Sequence, residues 1–512
     1  MEKLYNKAIT LSSTYSVGNI AQALLSFLLI PLYTTYLHPR DYGILALMNL
    51  TIQLVTKAIS SPIAYAFGRF YYKPGYKHKS GILLFNLFSL LIIKTIGLAV
   101  LYWYLSGFLC RLLFGEQELI YIVRVYTILL LIMPASSFLQ SFIMLREMAG
   151  YYVLLSLSSL VLSSGLIIYL LIGLKLGVLG VIYGQFFGLS LISAMCIPVF
   201  VKYSKFKISV PIIKEPLKFG YPQILSGYSN LLIQSGDRYV LRMFDPISTV
   251  GLYSFGYKIC SVLNLLLVEP LKWGLQPVIL KKEDNPKEQK VFLVNSANYY
   301  YLIAIFIVLG LSIFSREAIM VLARRQEFWA CWVIVPIIAF SYVQHGLGNF
   351  VGWGIVMKNK PYHISGNLLV AAFVNIALNF VFIPYWGMVG AAFATLISYV
   401  IWNALKIYYS AKFYDLHFDL DRLGHITIVS AGLYLLSLLV ASGPNIYLNT
   451  GAKTLIVIAY PILLLITGFF SRTEKEYMKK FFFDVRANGI LATVGHLRVE
   501  TGEAEERVGE VI

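Results

Sequence analysis

Apolar residues in this chain come in long blocks, not in alternation. The stretch 151–174 (YYVLLSLSSLVLSSGLIIYLLIGL) carries no charge, and it exceeds the roughly 20 helical residues needed to cross a bilayer's hydrocarbon core. The stretch 301–313 (YLIAIFIVLGLSI) is of the same kind. Strands of a membrane barrel would alternate over about 10 residues, and these blocks do not. Short polar segments separate the blocks. They predict spans near 13–36, 43–68, 81–106, 120–144, 151–172, 177–201, 217–240, 250–275, 293–315, 329–356, 362–384, 388–409, 425–442 and 454–471. The expected fold is therefore an all-α integral membrane protein of about fourteen transmembrane helices.

Two landmarks recur at nearly one offset. Gly177-Val178-Leu179-Gly180 opens one span and Gly387-Met388-Val389-Gly390 opens another, 210 positions later. Gly43, in DYGILAL, and Gly251, in VGLYSFG, open spans 208 positions apart. That offset covers six helices, an even number, so the two copies would keep one orientation and relate about an axis along the membrane normal. The expected organisation is a six-helix lobe over 1–210, a second over 211–412, an extra helix pair over 413–471 and a polar tail over 472–512.

Composition agrees with the pattern: 58% of residues are hydrophobic and 13% charged, against roughly 25% charged in soluble chains. The net charge is +17. In a soluble protein that excess would suggest nucleic acid, but here the cations sit in short loops between spans, and no nucleic-acid partner is expected. With the N-terminus inside, the inner loops hold more than twice as many Lys and Arg as the outer ones. The bias predicts an even number of spans with both termini cytoplasmic.

The chain lacks soluble-enzyme signatures. No GxxxxGK[ST] loop, HExxH or CxxC occurs, so neither nucleotide hydrolysis nor a metal centre is expected. Cys110, Cys196, Cys260 and Cys331 lie in or beside apolar spans and read as small core residues. No cofactor and no catalytic residue is expected.

Polar residues inside spans carry the functional signal, because a charge at the bilayer centre costs roughly 2.5–3.5 kcal/mol on insertion scales. Lys57, Lys94 and Lys258 fall mid-span, Glu269 lies further along the helix of Lys258, and Gln344-His345 falls mid-span with Asn349 one turn on. Each has a plainer alternative. Glu269 and Lys272 are spaced to pair on one helix face, Lys94 can snorkel, and Gln344, His345 and Asn349 can join helices. Asp237-Arg238 ends a span and reads either as an interfacial cap or as a cavity pair. The candidate cavity residues are Lys57, Arg146, Asp237, Arg238, Lys258, Glu269, Gln344 and His345.

Three segments resemble polysaccharide-export flippases of the multidrug/oligosaccharidyl-lipid/polysaccharide exporter superfamily. They are LIPLYTTYLHPRDYGILALMNL at 29–50, SGDRYVLRMFDPISTVGLYSFGYKI at 235–259, and NIALNFVFIPYWGMVGAAFATLISYVIW at 375–402. The resemblance covers roughly residues 5–475. It implies two six-helix lobes that alternate in access without ATP. The implied cargo is an undecaprenyl-diphosphate-linked oligosaccharide, flipped across the cytoplasmic membrane for surface polysaccharide biosynthesis. Implied partners are this lipid-linked glycan, membrane lipid, a glycan polymerase and glycosyltransferases. Two rival functions are a cation-coupled small-molecule or drug exporter and a membrane glycan polymerase or ligase. The first needs a carboxylate deep in the N-terminal lobe, and the second a large outer loop; neither is evident in the sequence.

Overall fold

The computed structural model describes residues 27–270, 285–440 and 446–470, together with residues 18, 275, 278, 279, 282, 472 and 474–476. Among the described residues the secondary structure is helical, with no strand. Ten helices among the described residues are long and apolar enough to cross a membrane, and the chain is a multi-pass membrane protein. The first predicted span lies mostly outside the described residues, and only its end, α1 (Ile30–Tyr36), is seen.

The start of α2 (Pro39–Phe70) follows from its sequence. Pro39 occupies the first helical turn, where its missing N–H costs nothing. Asp41 accepts a bond from the His38 backbone N–H at 2.8 Å, closing a capping box. Then come α3 (Ser80–Phe114), α4 (Ile120–Val125), α5 (Thr127–Leu145) and α6 (Ala149–Ile168), with a π-turn over Tyr169–Gly173, and α7 (Val178–Tyr203). Helix α3 ends at Gly115 in the left-handed conformation.

The predicted span 217–240 is not one helix. It is divided into α8 (Pro211–Gly220), α9 (Gln223–Ser235) and α10 (Asp237–Phe244). Pro222 and Gly236 stand at the breaks, one lacking an N–H and the other lacking a Cβ. The following span is α11 (Ile247–Leu263), continued by a π-helical turn over Asn264–Val268. After α12 (Pro286–Ile313) and α13 (Ser315–Leu322), the tenth predicted span opens as a 3₁₀ segment, Gln326–Ile334. It then runs as α14 (Val335–Val351) and α15 (Trp353–Met357).

Helix α16 (Pro361–Tyr414) contains two predicted spans, and the chain reverses within it at Gly387, where φ is 51° and ψ −132°. Asn375 and Thr395 are 20 positions apart yet within hydrogen-bond distance, which a straight helix rising 1.5 Å per residue forbids. Gly177 has almost the same conformation, φ 53° and ψ −128°, at the start of α7. Only glycine adopts this region without strain.

Helices α2 and α11 begin 208 positions apart and cross at Gly43 and Gly251. A Cβ on Gly43 would come within 2.1 Å of the Ile247 carbonyl oxygen, and one on Gly251 within 1.8 Å of that of Pro39. Each glycine thus meets the residue four positions before the other, a reciprocal contact. Other bonds join the two halves of the chain at this end. Arg242 donates to the carbonyls of Leu113 and Phe114 at 3.0 and 2.8 Å, Arg325 donates to that of Thr35 at 3.1 Å, and His38 Nδ1 lies 3.1 Å from Glu327 Oε2.

A second compact unit begins at Leu420. It contains α17 (Leu420–Val440) and α18 (Ile446–Ile466) packed on each other. Arg422 there pairs with Glu474 at 2.8 Å.

Candidate functional site

The Asp237-Arg238 pair lies at the first turn of α10, just past the break at Gly236, and it is buried within the protein. Asp237 is 0% exposed. Tyr253 on α11 donates its hydroxyl to Asp237 Oδ2, and Thr395 on α16 does so at 3.3 Å. Arg238 reaches the other carboxylate oxygen at 3.4 Å. Behind Thr395, Asn375 donates to its hydroxyl and Asn379 to the Asn375 side-chain oxygen. The reversal at Gly387 brings the first arm of α16 behind the Thr395 hydroxyl that bonds the carboxylate.

Arg238, paired with Asp237, extends its guanidinium to a cavity of about 460 Å³. Its guanidinium lies 4.8 Å from the Tyr257 ring centroid, donates from Nε to Ser254 at 3.1 Å and from a terminal nitrogen to the Gln234 carbonyl at 3.1 Å. Lys258, Gln53, Asn264, Tyr342 and His345 also line the cavity. Among the described residues the wall holds Lys258 and Arg238, the latter balanced by Asp237 behind it, and no carboxylate of its own, with amide and hydroxyl groups between them. Such a lining attracts an anion and offers hydrogen bonds to a polar body. A second hollow of about 490 Å³, bounded by Tyr42, Asn49, Ser163 and Gln185, shares Ser254 and Lys258 with the first. Lys258 therefore stands between them.

The segment Gly251–Lys258 builds much of this site in one run. Gly251 makes the helix crossing, Tyr253 holds Asp237 and Ser254 holds Arg238. Phe255 packs edge-on against Tyr42, with centroids 5.7 Å apart. Tyr257 lies under the guanidinium, and Lys258 faces the cavities.

Other predicted residues lie elsewhere. Lys57 is half-buried on α2 against Gly227, where an added Cβ would approach its Cε at 2.9 Å. Arg146 ends α5 and stacks 3.9 Å over the Tyr203 ring. Gln344 is taken up between helices, donating to Tyr301 at 3.2 Å while its carbonyl accepts from Asn403 at 2.7 Å. Glu269 follows the π-turn, and its expected partner Lys272 lies outside the described residues. Lys94 bonds the Tyr221 hydroxyl at 2.8 Å. Sequence reasoning missed Lys406, which is 5% exposed, because its place near a predicted span end reads as a loop cation.

Comparison with known proteins follows the same lines. The chain is 23% identical over 233 residues to the probable low-salt glycan biosynthesis flippase Agl15 of Haloferax volcanii. That match takes in 44% of this chain and 49% of the relative, so the chain spans about half the length of the curated relative it matches. The fold resembles the lipid II flippase MurJ in an inward closed conformation, with TM-score 0.72 and 15% identity over 88% of this chain and 99% of that one. It also resembles an inward-facing multidrug resistance MATE family transporter of the MOP superfamily, with TM-score 0.63 and 13% identity over 80% and 98%. The family model described as polysaccharide biosynthesis protein matches residues 12–283, more than half of the 512 residues, and the chain belongs to that family.

Proposed function

We propose that this protein flips an undecaprenyl-diphosphate-linked oligosaccharide from the cytoplasmic to the outer leaflet of the cytoplasmic membrane. The observation that carries this reading is the cavity wall itself. Lys258 and the Asp237-paired Arg238 stand with tyrosine, serine, asparagine and glutamine side chains, and among the described residues no carboxylate in the lining faces Lys258. The Lys258 ammonium and the guanidinium donors of Arg238 suit a diphosphate, the hydroxyl and amide groups suit a sugar, and the lipid tail stays in the bilayer. Family membership and the flippase relative support the same cargo class.

In this reading residues 1–210 and 211–412 are the two lobes, 413–471 is the extra helix pair, and 472–512 forms a cytoplasmic tail. With both termini cytoplasmic, the glycine crossing and the Arg242 and Arg325 contacts close the outer side. The cavity is small beside an oligosaccharide of several sugars, so passage needs the lobes to part. The multidrug transporter likeness suits the exporter alternative in fold alone. The four described acidic residues before 210, Asp41, Glu116, Glu118 and Glu147, all stand at helix ends or in loops, so that alternative lacks its buried carboxylate.

The test measures lipid-linked oligosaccharide on each leaflet. Cells lacking the gene should hold it on the inner leaflet and lose surface polymer. Lys258→Ala should reproduce the defect in folded protein, while Lys258→Arg retains part of the activity. Normal surface polymer in the deletion strain, with no second flippase present, would rule the reading out.

A further inference from the structure

Another cavity of about 460 Å³ lies within the C-terminal half, bounded by α9, the π-helical turn after α11, α12, α14, α15 and α16. We propose that it is a second anion site, taking a phosphate group carried on an apolar body. Lys406 supplies the charge. Its ammonium donates to the Gly348 carbonyl at 2.9 Å and lies 3.4 Å over the Trp402 ring centroid. An ammonium carries three donors, and the Gly348 carbonyl takes one. Among the described residues no carboxylate comes within ion-pair distance of Lys406, and no Asp or Glu lines this cavity. A charge so deep in a membrane protein lacks a counterion that its surroundings make costly to omit. A bound anion supplies one.

The ammonium is also reachable. Gly346, Gly348 and Gly352 line the cavity beside it. Lys406 itself lines the cavity, and the absence of a side chain on Gly348 lets the ammonium pack where a Cβ would stand 2.8 Å from Nζ. Asn230, Asn349 and Ser365 place further polar groups around the same space. These groups come from separate helices and include no arginine fork, an arrangement that suits a tetrahedral anion better than a planar carboxylate. The remainder of the wall is apolar, with Phe350, Val356, Ile364 and Leu368 among it, which suits an acyl or isoprenoid body.

This site is separate from the central cavity. His345 lines the central one and Trp402 the second. Their rings are stacked, 6.3 Å apart at 22°, and form the partition between the two. The phosphate comes either from a phospholipid headgroup or from free phosphate.

The experiment follows the intrinsic fluorescence of the purified full chain in detergent, since Trp353 and Trp402 both line the cavity. Dihexanoyl phosphatidic acid and inorganic phosphate are titrated separately, with dihexanoyl phosphatidylcholine as the zwitterionic control. Saturable change with phosphatidic acid alone supports the site and identifies a lipid source; change with both supports it with phosphate sufficient by itself. In either case Lys406→Gln should weaken binding about tenfold or more and Lys406→Arg should retain it. Gly348→Ala keeps the charge but displaces the ammonium from its place, and it should weaken binding should Lys406→Gln fail to fold. No response to either phosphate compound, a response to phosphatidylcholine equal to that of phosphatidic acid, or wild-type affinity in the folded variants would overturn the proposal. Binding is the readout, so this result stands apart from whether the chain flips a lipid-linked glycan.

Discussion

Asp237 is tied to its surroundings by Tyr253, Thr395 and Arg238, and Arg238 in turn reaches the cavity. The two residues stabilise each other only as a pair. Removing one partner of a buried ion pair leaves the other uncompensated, at a cost of about 3–5 kcal/mol. Removing a single neutral donor to a buried acceptor costs about 1–3 kcal/mol. Asp237→Ala should therefore lower the thermal midpoint of the detergent-solubilised protein much more than Thr395→Val, with Tyr253→Phe between them. Equal small effects from all three would mean that the carboxylate does not anchor Arg238. The adjacency Asp237-Arg238 was visible in the sequence, but its burial was not. A span-end position left a cap and a cavity pair equally open, whereas the break at Gly236 and the return of α16 enclose the carboxylate. Lys57 shows the opposite case. Its mid-span place was legible, but the side chain's direction depends on Gly227, from another helix.

Among the helices, the strongest constraint is the crossing of α2 and α11. The atoms that a Cβ on Gly251 would meet are backbone atoms of Pro39 and Gly43, which cannot rotate away as a side chain can. Gly251→Ala should push the helices apart, at about 1–3 kcal/mol for an overpacked contact. Gly387→Ala should cost a similar about 1–3 kcal/mol through backbone strain. Gly165, on α6, has nothing within 4 Å of an added Cβ, so Gly165→Ala should be neutral or stabilising by up to about 1 kcal/mol. Thermal unfolding of the three variants checks this ordering, and a Gly251→Ala protein as stable as Gly165→Ala would contradict it. Span positions were legible because hydropathy reports length and apolarity, and both depend on local sequence. The division of span seven was not, since averaging over a window smooths out Pro222 and Gly236. The recurring glycines were legible as spacing, whereas their reasons, a helix crossing at one pair and a reversal at the other, needed three dimensions.

For the whole molecule, the contacts joining the two halves near the start of α2 are of three kinds. The glycine crossing is close-packed, while the His38–Glu327 contact is between half-exposed side chains, and such pairs contribute about 0–1 kcal/mol. Arg242 and Arg325 add bonds to carbonyls, each worth about 1.5–3 kcal/mol for a charged donor. An end held by a few such bonds can open and close without unfolding either half, which alternating access requires. His38→Cys and Glu327→Cys place thiols on opposite sides of this seam, and the four native cysteines are buried, so a short cleavable thiol-reactive linker should join the added pair. Linking should stop movement of lipid-linked oligosaccharide in vesicles, and cleaving the linker should restore it. Each single-cysteine protein treated alike should keep its activity. Full transport by the linked protein would mean that this end need not open, and that the cargo leaves by another route.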